Sequence, residues 1–373
     1  AVLMAPTELL AEQHYKTIGD WFGALDIEVG WLASKTPSKQ KRDTLEKLAS
    51  GELLVVVGTH ALIQEAGHYK KLGLVVIDEQ HRFGVDQRLA LRSKTPDGQV
   101  PHQVLMTATP IPRTLAMTFY ADLDVSSIDE LPPGRKTVET VVIPAETRRA
   151  DVIRRVQAAC QQGRQVYWVC PLIDESEALE AQAANDTEQE LSAALEGVSV
   201  GLVHGRLKPK EKEAVMASFR AGDIDLLVAT TVIEVGVDVP NASLMIIENA
   251  ERMGLAQLHQ LRGRVGRGSE QSFCILLYQM PLSQHAKLRL KTLRETNDGF
   301  VIAQKDLEIR GAGELLGTRQ TGSITFKVAD LIRDQQLLPL IEGCATQLQL
   351  KTPQNIEPLI DRWIGSKENY VNA

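Results

Sequence analysis

Residues 226–268 read LLVATTVIEVGVDVPNASLMIIENAERMGLAQLHQLRGRVGRG. The apolar run Leu226–Ala229 has the length and character of a buried strand. Thr230 and Thr231 follow it, then a turn containing Glu234, Gly236 and Asp238, then a second apolar run, Leu244–Ile247. The stretch closes on QLRGRVGRG, where Arg262, Arg264 and Arg267 are separated by glycines. Glycine lacks the Cβ that holds a backbone at a distance, and arginine presents a rigid donor fork that fits phosphate. The three arginines therefore suit close approach to a polyanion. Taken alone, the motif equally describes a basic surface loop.

The same alternation continues on both sides. Apolar runs stand at Val138–Ile143, Val166–Cys170, Val198–Val203 and Phe273–Tyr278, with helical patterns between them. A second series lies upstream at Val2–Met4, Leu53–Val57, Leu74–Ile77 and Gln103–Met106. TELLAEQHYKTIGDWFGAL spaces Leu9, Leu10, Tyr15, Ile18 and Phe22 as a helix, with Thr7 as its N-cap. Buried strands alternating with helices predict an α/β fold with two parallel sheets. Ligands of such sheets bind at the carboxyl ends of the strands. LPPGRKTVET, residues 131–140, reads as the linker between the lobes.

The Ala-rich, acidic stretch DESEALEAQAANDTEQELSAALEG reads as a solvated helical insert. After Pro281 the pattern becomes two helices around a turn at Asn297–Gly299, followed by a Gly-rich loop. The tail from Val328 to Ala373 reads as helical, with breaks at Pro339, Pro353 and Pro358. No internal sequence repeat is visible. The expected domains are a first lobe over 1–132, a second over 133–281, a helical hairpin with its loop over 282–327, and a helical tail over 328–373.

Composition excludes several classes. The 373 residues are 43% hydrophobic and 24% charged, and no uninterrupted apolar run is long enough to span a bilayer. Cys160, Cys170, Cys274 and Cys344 are scattered without a CxxC pair, which argues against a zinc site or a disulfide framework. The formal net charge is -7, so the global balance gives no support for nucleic-acid binding, although a local basic groove remains compatible with it.

The chemistry-bearing residues follow the runs. DEQH, Asp78 to His81, comes directly after Leu74–Ile77. A carboxylate at a strand end can hold Mg²⁺, and a second beside it can deprotonate a water that attacks a phosphoryl group. MTATP, with Thr107 and Thr109, follows the next run and offers hydroxyls to His81. VGTH with Thr59, APTELLAEQ with Thr7 and Glu8, and HGR with His204 and Gly205 stand on the same kind of rim. Backbone N–H groups and helix N-termini there suit phosphate.

In this order DEQH, TAT, HGR, TTVIEVGVD and QLRGRVGR resemble the motifs of the superfamily 2 helicases and translocases of DExH type. The resemblance implies two RecA-like lobes with ATP in the cleft between them, and Mg²⁺ as cofactor. It implies that Asp78 holds the metal and Glu79 activates water. Gln260, Arg264 and Arg267 would reach the γ-phosphate, with Arg267 as the arginine finger. Gly236 and Asp238 would sit near the ribose and the lobe interface, and His81, Thr107 and Thr109 would couple hydrolysis to lobe movement. Thr7, Glu8, Thr59, His204, Gly205 and Thr230 would face the nucleic-acid path.

DGFVIAQKDLEIRGAGELLGTRQTG, residues 298–322, further resembles the translocation motif shared by RecG-type helicases and transcription–repair coupling factors. On that resemblance Arg289, Arg310 and Gln320 act in coupling ATP use to movement along duplex DNA. DEQHRFGVDQR, MTATPIPRTLA and DRWIGSKENYVNA look more like the RecG type. The resemblance implies branched or forked DNA as partner and a role in recombination and repair. It also implies a single-stranded-DNA-binding protein as second partner, a monomer, and a cytoplasmic, nucleoid-associated location. The alternatives are the motor of a coupling factor, a non-catalytic DNA-binding fragment and an RNA helicase.

One element of the family pattern is missing. No GxxxxGK[ST] string, whose amides and lysine cradle the phosphates, occurs in the chain. The chain starts at Ala1 within an apolar run and reads as a domain cut in its middle. The expectation is a first lobe that is incomplete, lacks a central strand and, alone, turns over ATP poorly.

Overall fold

The computed structural model describes residues 1–64, 69–83, 100–108, 124–132, 135–171, 177–230, 239–268, 270–310, 333–334 and 337–363. These fall into two units. The first is formed by the described part of Ala1–Thr109, and the second by that of Pro110–Glu234 and Asp238–Tyr370.

The first unit contains β1 (Val2–Met4), α1 (Glu8–Gly23), β2 (Val29–Leu32), α2 (Ser38–Ser50), β3 (Val55–Gly58), a single turn α3 (Ala61–Gln64), β4 (Leu74–Ile77) and β5 (His102–Leu105). All five strands are parallel, in the order β2-β3-β1-β4-β5. Thr7 caps α1 as expected, its hydroxyl accepting the Leu10 N–H at 3.3 Å. Ile18 and Phe22 of that helix pack with Val29, Val55 and Val57 on one face of the sheet. Met4, Leu32, Leu62 and Ile77 form the core on the other face. β1 lies in the middle of the ladder, and apolar surface appears at the edge strand β5, where Val104 is 45% exposed.

The second unit contains β6 (Glu139–Pro144), α4 (Ala145–Gln161), β7 (Gln165–Val169), α5 (Glu177–Ala194), β8 (Val200–Val203), α6 (Pro209–Ala221), β9 (Leu226–Ala229), β10 (Ala242–Ile247), α7 (Leu255–Arg262), β11 (Phe273–Tyr278), α8 (Gln284–Glu295), α9 (Gly299–Arg310), α10 (Leu338–Lys351) and α11 (Ile356–Trp363). Its six strands run parallel in the order β6-β11-β10-β7-β9-β8. The opening stretch supplies β9 and β10, both wholly buried, which is why they read as unbroken apolar runs.

The acidic stretch is helical, but it is not a solvated insert. Leu191 and Leu195 of this region lie in the core with Trp168 and Val228, and the small Ala184 lets α5 approach the sheet. Arg149 pairs with Glu190 of α5 and with Glu248 beyond β10 (2.7 Å), its guanidinium lying over the Trp168 ring. Pro339 and Pro358 are not breaks either. Each sits in the first turn of its helix, where a missing N–H costs nothing.

The structure also shows a repeat that the sequence hides. β2, α2 and β3 recur as β8, α6 and β9 with no insertion or deletion: Val29–Leu32 matches Val200–Val203, Ser38–Ser50 matches Pro209–Ala221, and Val55–Gly58 matches Leu226–Ala229. Gly51 and Gly222 end the two helices with φ of 80° and 88°, the left-handed cap that glycine permits. Thr59 and Thr230 each donate their backbone N–H at 3.2 Å to the neighbouring strand's last carbonyl, Leu32 and Val203 respectively.

Candidate functional site

In the first unit the carboxyl end of β4 carries Asp78 and Glu79. Asp78 Oδ1 accepts the Glu79 N–H at 2.8 Å, and Asp78 Oδ2 lies 2.7 Å from His14 Nε2 on α1. Glu79 has φ +50°, a left-handed conformation that costs a non-glycine residue about 1–2 kcal/mol. That backbone turns the chain sharply at the sheet end. Glu79 Oε2 accepts the Ala108 N–H at 3.3 Å, and the Gln80 N–H donates to the Met106 carbonyl at 3.0 Å. DEQH and the TAT segment are thus joined, though through backbone groups and Glu79. Thr109 and the His81 side chain lie outside the described residues. His14 had no sequence signal beyond a polar position on α1.

Thr59 and Thr230 are 2% and 1% exposed, and neither hydroxyl has a hydrogen-bond partner among the described residues. Glu8 is paired with Lys35 at 3.0 Å. His204 has its pKa lowered by burial and by the Lys212 and Arg206 charges, and the Gly205 carbonyl accepts from Lys212 Nζ at 2.7 Å.

In the second unit, α7 and the turn after it carry Gln260, Arg264 and Arg267. Gln260 and Arg264 are half-buried, whereas Arg267 is exposed and its Nε donates to the Gly263 carbonyl at 3.4 Å. The glycines serve chain packing. Gly266 has φ +78°, and a Cβ there would lie 2.8 Å from Val138 Cγ2; one on Gly268 would lie 2.4 Å from the Pro240 carbonyl oxygen. Arg135, from the segment read as a linker, donates to the Gly266 carbonyl at 3.1 Å and to that of Gly263 at 3.2 Å. It holds the loop from behind, a role the sequence did not suggest.

Arg262 corrects the reading of three arginines facing a polyanion. Its side chain is buried, and its guanidinium is engaged by Thr140, Leu293, Thr296 and His259. Arginine only donates, so His259 Nδ1 accepts and the imidazole is neutral with its proton on Nε2. Burial, followed by the Arg262 charge, lowers the His259 pKa to about 4, with Asp298 opposing. A depressed folded pKa stabilises the fold above the unfolded value of 6.5, and that stability is lost as the pH falls towards about 4. Unfolding of the chain in urea at pH 7 and pH 4 should reveal a loss on the order of 3 kcal/mol from this group. His259→Gln should remove most of that pH dependence.

Arg289 on α8 donates by Nη2 to the Glu251 carbonyl at 2.7 Å. Gly236, Asp238 and Gln320 lie outside the described residues, as does the side chain of Arg310.

Three family descriptions match the chain: DEAD/DEAH box helicase over residues 1–118, helicase conserved C-terminal domain over 149–269, and the C-terminal part of domain 3 of the ATP-dependent DNA helicase RecG over 296–364. The ATP-dependent DNA helicase RecG of Escherichia coli K12 is 64% identical over 373 residues, which are 100% of this chain and 54% of that protein. The RecG of Haemophilus influenzae is 60% identical over the same share of each. The chain thus spans about half the length of these curated relatives. A solved structure of RecG bound to a three-way DNA junction superposes with a TM-score of 0.70 at 45% identity, covering 90% of this chain and 43% of that one. The parallel-sheet units are the RecA-like helicase lobes that the motifs implied. On these matches the chain belongs to the RecG family of ATP-dependent DNA helicases.

Proposed function

We propose that this chain carries much of the motor of an ATP-driven helicase. The motor translocates on duplex DNA and remodels stalled forks and four-way junctions in recombination and repair. The observation that supports this most is Asp78 and Glu79 at the end of β4, in a chain 45% identical to a RecG solved on a three-way DNA junction.

Mg²⁺ fits the donor set. A hard cation needs one or two carboxylates and completes its shell with water and phosphate oxygens, and Asp78 offers one carboxylate already oriented by His14. Bound there, the ion would neutralise phosphate charge. Glu79 accepts the proton of the attacking water. Gln260, Arg264 and Arg267 meet the γ-phosphate, with Arg267 as the finger. Gly236 and Asp238 lie near the ribose, and His81, Thr107 and Thr109 pass the change at the phosphate to the rest of the motor. Thr7, Glu8, Thr59, His204, Gly205 and Thr230 follow the nucleic-acid path, and Arg289, Arg310 and Gln320 act in translocation. The reading includes a monomer in the cytoplasm at the nucleoid, and a single-stranded-DNA-binding protein as further partner.

The triphosphate itself fits only in part, because the 373 residues contain no lysine-bearing phosphate loop. ATP turnover by this chain alone should be at least about 10²-fold slower than that of the full-length gene product, given what one transition-state donor is worth. The test is ATP hydrolysis by both proteins without DNA, with linear duplex and with a three-way junction. The full-length product should respond most to the junction. Turnover indifferent to DNA would contradict the reading.

A further inference from the structure

His14 stands one residue past APTELLAEQ, and no motif names it. Its side chain nevertheless meets the carboxylate to which the motor reading gives the metal. Asp78 Oδ2 is 2.7 Å from His14 Nε2, and both side chains are partly buried. A carboxylate only accepts, so Nε2 carries a proton and donates. The other oxygen, Asp78 Oδ1, accepts the Glu79 N–H at 2.8 Å.

The fold brings the two residues together through β1. β1 and β4 are parallel neighbours with Met4 opposite Ile77, and the Asp78 N–H donates to the Met4 carbonyl at 2.9 Å. Both strands therefore end at the same level. From β1 the chain enters α1 by way of the Thr7 cap. His14 follows the fully buried Ala11 by three residues and precedes Ile18 by four, so it stands on the stripe of α1 that packs against the sheet. A polar ring on such a stripe needs a hydrogen-bond partner, and Nε2 has one in Asp78.

Each oxygen of Asp78 is thus held by an N–H. The torsion that turns a carboxylate plane is broad and soft, whereas a Mg²⁺ shell tolerates little departure from octahedral geometry. Bonds to two different oxygens fix the plane and leave a lone pair on each for an ion or its waters. The Glu79 N–H belongs to the adjacent residue and travels with Asp78. His14 belongs to another element and ties the carboxylate to it. We propose that His14 is a positioning residue that holds the Asp78 carboxylate in the orientation a divalent cation needs, and so sets the affinity of the site for that cation. This rests on the motor reading above, in which Asp78 holds the metal.

The test saturates the full-length gene product with ADP and titrates it with Mn²⁺, following the free ion by electron paramagnetic resonance. Asp78→Asn gives the level of binding without the carboxylate. His14→Phe keeps a ring and removes the N–H. It should bind Mn²⁺ about tenfold more weakly than wild type, at the lower end of what hydrogen-bond partners of metal ligands contribute. The Mg²⁺ concentration for half-maximal DNA-stimulated ATP hydrolysis should rise by the same factor, while kcat at saturating Mg²⁺ falls no more than about threefold. His14→Gln places an amide N–H at similar reach and should stay within about threefold of wild type in both titrations. Wild-type Mn²⁺ affinity in His14→Phe, a larger fall in kcat with metal affinity kept, or a His14→Gln no better than His14→Phe would each overturn the proposal. Should His14→Phe fail to fold, His14→Ala decides by the same criteria, alanine being the residue best suited to a helix. Wild-type Mn²⁺ affinity in Asp78→Asn means that this carboxylate does not hold the ion, and the metal site of the motor reading itself fails. Wild-type affinity in His14→Phe beside a weakened Asp78→Asn sinks the His14 proposal alone.

Discussion

Replacing Arg267 with alanine should lower kcat for DNA-stimulated ATP hydrolysis by about 10³-fold, at the lower end of what arginine fingers contribute. Gly266 turns the chain in a left-handed conformation, and Arg135 grips the carbonyls on both sides of the turn at Gly263 and Gly266. The exposed Arg267 side chain then leaves a fixed base, with its Nε on the Gly263 carbonyl. A preorganised cation stabilises charge at the moment of reaction without reorganising first. The effect should fall on kcat more than on KM, because the charge it meets develops in the transition state. Arg267→Lys should recover little, since the ammonium cannot reproduce the fork. Steady-state kinetics on the full-length product test this, and a loss smaller than about tenfold would remove Arg267 from the role.

The second large effect is expected from Glu79→Gln. Glutamine keeps the shape, and its amide oxygen can still accept the Ala108 N–H. The left-handed turn at Glu79 and the bond from its N–H to Asp78 do not depend on the side-chain charge. What is lost is proton acceptance, worth about 10²–10⁴ in rate. Turnover should fall by that factor while nucleotide affinity stays within about threefold, because binding does not use the base. A fluorescent nucleotide titration beside a hydrolysis assay separates the two. Turnover above a tenth of wild type would show that another group takes the proton.

Much of the skeleton was legible because parallel strands are buried on both faces. Leu226–Ala229, Leu74–Ile77 and Phe273–Tyr278 stand in the sequence with the limits they have in the fold. β2 carries Gly30 within VGWL, where glycine serves a close approach, a Cβ meeting Leu53 at 2.3 Å. The repeat of β2, α2 and β3 was hidden because matched positions keep their class rather than their identity; Val55 pairs with Leu226 and Leu48 with Phe219, leaving few shared residues such as Gly51/Gly222 and Thr59/Thr230. Alanine and acidic residues give α5 the look of a solvated helix, although its buried stripe needs only Ala184, Leu191 and a few neighbours.

The site was legible as strand-end motifs and not as contacts. Asp78 and Glu79 stand out as carboxylates directly after an apolar run, Arg264 and Arg267 as glycine-spaced arginines, and Gln260 enters through the resemblance alone. His14, Arg135 and the inward course of Arg262 do not stand out, because their partners lie 64, 131 and 31 positions away and only the fold brings them together. A glycine-spaced arginine run looks the same whether its guanidinium faces solvent or a helix end.

The most direct measurement is strand separation of a three-way DNA junction by the full-length gene product, with ATP and with a non-hydrolysable analogue, for wild type and Glu79→Gln. The account predicts separation only for wild type with ATP. Separation by Glu79→Gln, or by wild type with the analogue, would contradict it.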